Sequence, residues 1–487
     1  MSATSVQPTI RWNGKSIAVT EGDSLAAALW RAGVTTFARS RKLHRPLAWT
    51  GAHAVGALAA VNGLPNTRLD QTPARAGTVV SMQNCWPGPG FDLLRLMQIL
   101  PERLLYGGFE HGHLMPSSGL SYRLAERMMA YLAGVADTAP TGWEGAAIPG
   151  RDITVDHLII GGGPEGIRAA NAVAAAGLSV ALVTRGRTPA RFARNAGQEI
   201  PVLDPRVDLH KETEAFGGYR DGDLVLAAPV NGTGAAVVFR PGQITLATGR
   251  RSMPPVVRGN HLPGVFDAHA GLNLAAEHGV RLGRRVAVIG TGDEVALAAR
   301  LRDLGHEVVH TGPAAGLDRI EGRARVRAIR VAGRRILCDT LVHAGPWRAD
   351  PNLGFQLAAE GHYQLLDAAL PVRVTRIGAA TLAPEPIHIP AQPDKSALIC
   401  PCMDVTLGEL LSHIDAGEHD PEILKRLTSC GMGTCQGWPC WDSMLAVLAA
   451  RTGTRPEDHA RPSHRPPRRA ITIAQAAGLA GLVEPDK

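Results

Sequence analysis

The sequence predicts a multidomain α/β protein, and three observations predict it. Two βαβ patterns, each with glycines at its first turn, begin near residues 154 and 285. A run of short alternating strands fills residues 8–85. Four cysteines gather in Cys400-Pro-Cys402 and Cys435-Gln-Gly-Trp-Pro-Cys440. At 487 residues the chain is long enough for roughly three or four domains. Its 45% hydrophobic content supplies ordinary globular cores.

The elements follow in chain order. Thr9 to Trp12, Asn13-Gly14 and Ser16 to Val19 read as strand, tight turn and strand. Asp23-Ser24 caps a helix over 25–32. Residues 89–150 mix helical stretches with Gly and Pro breaks and read as a linker arm.

A short apolar strand over 154–160 then leads into Gly161-Gly162-Gly163-Pro164-Glu165-Gly166. A helix to residue 176 and a strand over 179–184 complete the unit. In this pattern Gly161 permits the tight turn, Gly163 admits a pyrophosphate to the backbone, and Gly166 lets helix and strand pack closely. The helix N-terminus offers its free amides and positive dipole end to phosphate. A later strand ending in Ala247-Thr248-Gly249 supports the same fold.

The acid expected for ribose hydroxyls is replaced by Arg185. Such an arginine either accepts a 2′-phosphate or marks a site that lost its usual ligand. The second unit runs through a strand over 285–289, Gly290-Thr291-Gly292-Asp293-Glu294, a helix to 304 and a strand over 307–310. It lacks a clear acid, and Gly290 and Gly292 serve either phosphate or simply the turn. The spacing suggests one nucleotide-binding domain inserted into another.

The cysteine module covers about 391–450. Five of the seven cysteines lie between 400 and 440, which scattered core cysteines would not do. Four thiolates from two short loops suit an iron–sulfur cluster or a structural zinc ion. Thr406-Leu407-Gly408-Glu409 resembles a capping box, so a helix starts just after Cys402. Gly431-Met432-Gly433 offers backbone amides beside the sulfurs. Cys430 reads as a bystander, and Cys85 and Cys338 as packed or semi-exposed single cysteines. Residues 451–470 are rich in Arg, Pro and His and read as an extended surface segment, followed by a helix over 471–482.

Other classes are disfavoured. The net charge of +7 comes without any nucleic-acid reading motif, and 4% aromatic residues leave little for base stacking. No apolar run suits a secretory signal or a membrane span, so a cytoplasmic protein is expected. Clustered thiols fit that reducing compartment. The histidines form no H-E-x-x-H pattern, and His44, His53, His111 and His113 read as structural. No nucleophile–base pair emerges, so no catalytic residue is assigned.

Several stretches together resemble a known family. These are 156–166, Leu246-Ala247-Thr248-Gly249-Arg250, Leu262-Pro263-Gly264-Val265 and Val288-Ile289-Gly290-Thr291-Gly292. They resemble the α subunits of heteromeric sarcosine oxidase, opine oxidase, D-hydroxyproline dehydrogenase and hydrogen cyanide synthase. Cys400-Pro-Cys402-Met-Asp404-Val-Thr406 and Gly431-Met-Gly-Thr-Cys435-Gln-Gly437 look like their bacterioferritin-associated-ferredoxin-type (BFD-like) 2Fe-2S module. Arg465-Pro466-Pro467 resembles the motif that follows it. Gly22 to Leu29, Arg39-Ser40-Arg41-Lys42-Leu43-His44-Arg45-Pro46 and Gln83-Asn84-Cys85-Trp86-Pro87 are similar to their N-terminal ferredoxin-like domain. Cluster-bearing relatives have a cysteine-rich loop after the His-Arg-Pro, whereas residues 1–84 here contain no cysteine.

The resemblance implies a β-grasp ferredoxin-like domain without cluster cysteines over 1–88 and a linker arm over 89–150. It implies an FAD-type dinucleotide-binding domain over 151–275 and 345–390, with a second Rossmann-like domain over 276–344 nested in it, as in pyridine-nucleotide-disulfide reductases. A BFD-like 2Fe-2S domain over 391–450 and a tail over 451–487 complete the chain. The implied cofactors are a 2Fe-2S cluster on Cys400, Cys402, Cys435 and Cys440, and FAD, another dinucleotide or ATP at the first glycine loop. That loop comprises Gly161, Gly163, Pro164, Glu165 and Gly166, with Arg185, Thr248 and Gly249 beside it; Gly290 and Gly292 form the second site. FMN at a subunit interface is a further implied cofactor. Near Ile377-Gly378-Ala379-Ala380 the acid that relatives use for the flavin is missing.

The implied role is electron transfer from an FAD-containing β subunit that oxidises a secondary amine or imino acid, with small additional subunits as further partners. The chain would be an oxidoreductase subunit inactive by itself. The alternatives are a structural assembly subunit with degenerate nucleotide sites, and an NAD(P)H-dependent flavin reductase.

Overall fold

The computed structural model describes residues 7–51, 55–99, 119–132, 147–219, 223–358, 370–462, 464 and 466–483. Most of the expected arm, the loop residues 52–54, His111, His113 and Arg465 lie outside these residues. The chain divides into two units. One comprises 1–143, 254–344 and 387–454; the other comprises 144–253, 345–386 and 455–487.

The first unit begins with a five-stranded sheet in the order Lys15–Ala18, Thr9–Trp12, Val79–Ser81, Leu58–Val61 and Leu64–Arg68. Asn13 and Gly14, both at positive φ, turn the first hairpin. Thr9–Trp12 pairs parallel with Val79–Ser81, which joins the two ends of the domain. The helix Leu25–Arg31 starts at Ser24, whose Oγ accepts from Ala27 N at 3.2 Å. Its Leu25 and Leu29 are buried with Ile10 and Phe37.

The same unit holds a four-stranded parallel sheet ordered Val265–Asp267, Thr340–Ala344, Val286–Gly290 and Val308–Pro313. A three-stranded antiparallel sheet, Leu317–Gly322, Val326–Val331 and Arg334–Leu337, packs with it through Leu317, Ile320, Val326 and Ile329. The cysteine module is a small helical domain. Leu398–Cys400 pairs with Val405–Thr406, and helices Leu407–Asp415, Pro421–Thr428 and Cys440–Thr452 follow.

The second unit is built on a seven-stranded sheet. Its main path is Asp208–His210, Val180–Val183, Arg151–Ile160, Val237–Leu246, Leu224–Pro229 and Thr213–Tyr219, and Val374–Arg376 pairs with Val237–Leu246. The strands around Arg151–Ile160 run parallel to it. Both faces are covered. Leu158 and Ile160 face one core with Val225, Phe239 and Leu353, while Ile159 faces another with Ile167, Ala170 and Leu182. That double burial explains the continuous apolar run. Leu479, from the C-terminal segment, packs with Phe216, Leu224 and Val238.

Two boundaries differ from expectation. Residues 254–275 belong with the nested sheet rather than with the first dinucleotide domain, because Val265–Asp267 pairs with Thr340–Ala344. The last helix is short, Ile473–Ala477, rather than spanning 471–482. Among the described residues no helix is long and apolar enough to cross a membrane.

Candidate metal centre

The backbone brings the four predicted cysteines together. Cys400 ends the strand Leu398–Cys400, Cys402 lies in the turn that follows, and Cys440 opens the helix Cys440–Thr452. Cys400, Cys402 and Cys440 are fully buried, and Cys435 is partly exposed. The Cys435 and Cys440 sulfurs are 3.8 Å apart. That is the edge of a tetrahedron whose metal–sulfur bonds measure about 2.3 Å. Gly431 N donates to Cys400 Sγ at 3.3 Å.

The thiols perturb one another around a closed ring: Cys400 with Cys402, Cys402 with Cys435, Cys435 with Cys440, and Cys440 with Cys400. Hydrogen bonds from Cys402 and Cys440 hold Cys435 down at about 5. Burial raises Cys400, but hydrogen bonds from Cys402, Cys430, Cys440 and Gly431 N outweigh it and take its thiol well below the usual range. Hydrogen bonding to Cys400 and Cys435 raises Cys402 and Cys440 instead. A set of buried thiols that already stabilises thiolate is the donor chemistry a soft metal centre needs.

Three glycines leave room for this arrangement. A Cβ on Gly433 would sit 2.2 Å from Cys402 Cβ. Cβ atoms on Gly431 and Gly437 would meet the Trp441 ring at 2.0 and 2.4 Å, and both glycines have positive φ. The predicted helix start is present: Thr406 Oγ1 accepts from Glu409 N at 3.1 Å. Glu409 does not complete the box; its carboxylate takes Lys42 Nζ at 2.8 Å. Cys430, read from the sequence as a bystander, is fully buried, and the neighbouring Cys400 raises its thiol well above the usual range. Burial pushes Cys85 and Cys338, far from this centre in sequence, up to about 12, as expected of packed thiols.

At the first glycine loop the three glycines divide their tasks. Gly161, at φ +115°, passes so close to Ala247 that a Cβ would lie 2.2 Å from its carbonyl oxygen. A Cβ on Gly166 would lie 1.9 Å from Gly161 O, so helix and turn touch. Gly163 faces open space, with nothing within 4 Å of a Cβ there. It caps the helix Pro164–Ala175 without a side-chain hydrogen bond. The cradle therefore fits a pyrophosphate.

Pro164 takes the first helical turn, and Glu165 pairs with Arg168. A Cβ on Gly378 would lie 2.8 Å from Glu165 Cγ. Thr248 precedes Gly249, which has positive φ and open space beside it. Arg185 Nη1 lies 3.6 Å from Glu214 Oε1, and Glu214 also meets Arg468 and Arg469 at 3.6 and 3.3 Å. A 2′-phosphate on Arg185 would compete with that buried carboxylate.

The second loop differs. Gly290 ends the strand Val286–Gly290, and Gly292 N donates to Glu294 Oε2 at 2.7 Å. The first carboxylate of the helix Glu294–Asp303 thus fills the position where a phosphate would take a backbone amide.

Two family models match the chain. The family described as 2Fe-2S iron-sulfur cluster binding domain matches residues 6–85, and the Sarcosine oxidase A3 domain matches residues 394–479. Residues 6–85 contain a single cysteine, Cys85, so that domain shares the fold without a cysteine ligand set. The alpha subunit of sarcosine oxidase from Rhizobium meliloti strain 1021 is 31% identical over 370 residues, covering 68% of this chain and 36% of that protein. An opine oxidase chain of the same strain is 34% identical over 93 residues, covering 19% of this chain and 20% of that protein. This chain therefore spans little more than a third of the first, and its match to the second takes in a fifth of that protein. The L-proline dehydrogenase crystal structure from P. horikoshii superposes with a TM-score of 0.72 at 20% identity, covering 98% of each chain. That likeness establishes the shared multidomain α/β fold.

Proposed function

We propose that this chain, a relative of the α subunits of sarcosine and opine oxidases, is the electron-transfer subunit of a heteromeric amine or imino-acid oxidoreductase. The observation that carries the reading is the set of four neighbouring thiols at Cys400, Cys402, Cys435 and Cys440, three of them fully buried and Cys435 partly exposed. Cys435 and Cys440 stand at the spacing of two ligands on one metal atom. Four cysteine thiolates are the ligand set that a 2Fe-2S cluster takes in electron-transfer modules. When bound, a 2Fe-2S cluster takes up and returns one electron at a time.

The open Gly163 cradle supports a dinucleotide at the first loop, with FAD the cofactor that suits electron transfer to iron–sulfur. The chain's own part is to bind and orient both groups and to keep water from the sulfurs. No acid–base residue is assigned, because substrate oxidation belongs in this reading to a partner subunit. The Gly292 amide already donates to Glu294, which weighs against a self-contained NAD(P)H reductase. The test is an anaerobic visible spectrum of the chain isolated with its natural partner chains, followed while secondary amines and imino acids are added. Substrate-driven bleaching of flavin and cluster bands supports the reading. A colourless complex, or reduction by NADH alone, would overturn it.

A further inference from the structure

We propose that the N-terminal domain, which lacks a cysteine ligand set, is a charged clamp on the cysteine centre, and that Asp404 is the positioning residue it grips. The inference deepens the reading above, since it takes the four cysteines as cluster ligands. Asp404 stands two residues after Cys402, buried and in the left-handed region at φ +55°. Its Oδ2 accepts from Ser40 Oγ at 2.6 Å and from Leu43 N at 2.7 Å, and its Oδ1 accepts from Arg45 Nε at 3.2 Å. Both oxygens of a buried carboxylate are therefore satisfied by one turn that lies more than 350 residues away in sequence.

The turn is itself braced. Ser40 Oγ accepts from Arg45 N at 2.8 Å, and Ser40 N donates to Arg45 O at 3.0 Å. Its other side chains grip the same loop: Arg41 Nη1 lies 3.4 Å from Met403 Sδ, and Lys42 Nζ lies 2.8 Å from Glu409 Oε1. So Met403, Asp404 and Glu409, which follow Cys402 in the chain, are all held from residues 40–45.

This fixes where a domain matching a cluster-binding fold has put its remaining function. It holds the cluster loop of another domain instead of holding a cluster. Three cations, Arg41, Lys42 and Arg45, meet Met403, Glu409 and Asp404 on the segment that follows Cys402. Positive charge brought to the cluster loop favours the reduced, more negative state of a cluster, because net charge and hydrogen bonding set its potential. The clamp thus holds the loop that follows Cys402 and eases electron uptake.

The test uses the full chain with Ser40→Ala, Asp404→Asn and Arg45→Met. In metal-free protein, the alkylation rate of Cys402 is read by mass spectrometry, with buried Cys338 as internal control. Ser40→Ala and Asp404→Asn are expected to speed Cys402 several-fold and leave Cys338 unchanged. In loaded protein, the reduction equilibrium is read by electron paramagnetic resonance. Arg45→Met is expected to disfavour reduction about tenfold, which is about 59 mV for one electron, and Asp404→Asn to favour it. Opposite shifts are not the signature of mere loosening. Unchanged alkylation together with unchanged potentials overturns the clamp. If the wild-type chain takes up no iron, the functional reading fails while alkylation still decides the clamp. Should Asp404→Asn fail to fold, Ser40→Ala, which removes one neutral hydroxyl, carries the alkylation test.

Discussion

At Gly433 a single carbon atom decides whether the cysteine loops can close. The Cβ of an alanine there would sit 2.2 Å from Cys402 Cβ, well inside contact distance. Gly433→Ala is expected to cost roughly 1–3 kcal/mol through forced displacement of Cys402, and to lower metal content per chain. Metal analysis beside a thermal melt checks both. His306 makes a second residue-scale case. Its Nε2 accepts from Leu282 N at 3.2 Å, while Nδ1 faces Leu301 O at 3.2 Å, so the neutral ring is the form that fits. Burial holds its pKa below the ordinary 6.5.

A depressed folded-state value means that the unfolded chain binds the proton more readily. The stabilisation is therefore complete above pH 6.5 and lost as pH falls through the lower folded value. The melting temperature is expected to drop below pH 6.5, and less steeply in His306→Gln. An equal slope in both would remove His306 from the account. At this scale the four neighbouring cysteines were legible because they cluster in sequence. The grip of Ser40 and Arg45 on Asp404 was not, because no local pattern announces a contact across the whole chain.

Among the elements, the two glycine loops look alike in sequence and differ in structure. Both leave open space beside a glycine, Gly163 and Gly292, but in the second the Gly292 amide already donates to Glu294. Glu294→Gln removes a charge from that amide, worth roughly 1 kcal/mol at a helix N-terminus. A dinucleotide such as NADH is expected to bind the second loop about fivefold tighter in that variant, as measured by calorimetry on flavin-loaded protein. No change would show that the carboxylate does not guard the loop.

The strand–turn–helix patterns that place both loops were legible from apolar runs, glycines and caps. The antiparallel strands Thr213–Tyr219 and Leu224–Pro229 were not. Thr213–Tyr219 is buried along nearly its whole length, so it lacks the alternation that marks a strand. The arginine at Arg185 was legible as a departure, but its partner Glu214 lies on another strand.

For the whole molecule, the nesting of one nucleotide-type sheet within another followed from the repeat of the βαβ pattern. The boundary at 275 did not survive, since Val265–Asp267 pairs with a strand some 75 residues later in the chain. Register between distant strands has no local trace. The C-terminal segment read as an extended surface run, but Arg461 and His464 are buried in it, and Arg468 and Arg469 meet Glu214. It also supplies Leu479 to a core with Phe216 and Leu224. Removing residues 471–487 is therefore expected to destabilise the second unit by at least about 2 kcal/mol, the worth of one buried leucine. A denaturant titration checks it, and an unchanged midpoint would show that this segment only lies on the surface.

On the proposed reading, Cys400, Cys402, Cys435 and Cys440 together hold two irons. The most direct measurement is iron, acid-labile sulfide and zinc per full-length chain, purified without oxygen, for the wild type and for Cys435→Ser. The account predicts about two irons and two sulfides per chain in the wild type, with most of both lost in the variant. One zinc per chain without sulfide, or iron that survives Cys435→Ser unchanged, would contradict it.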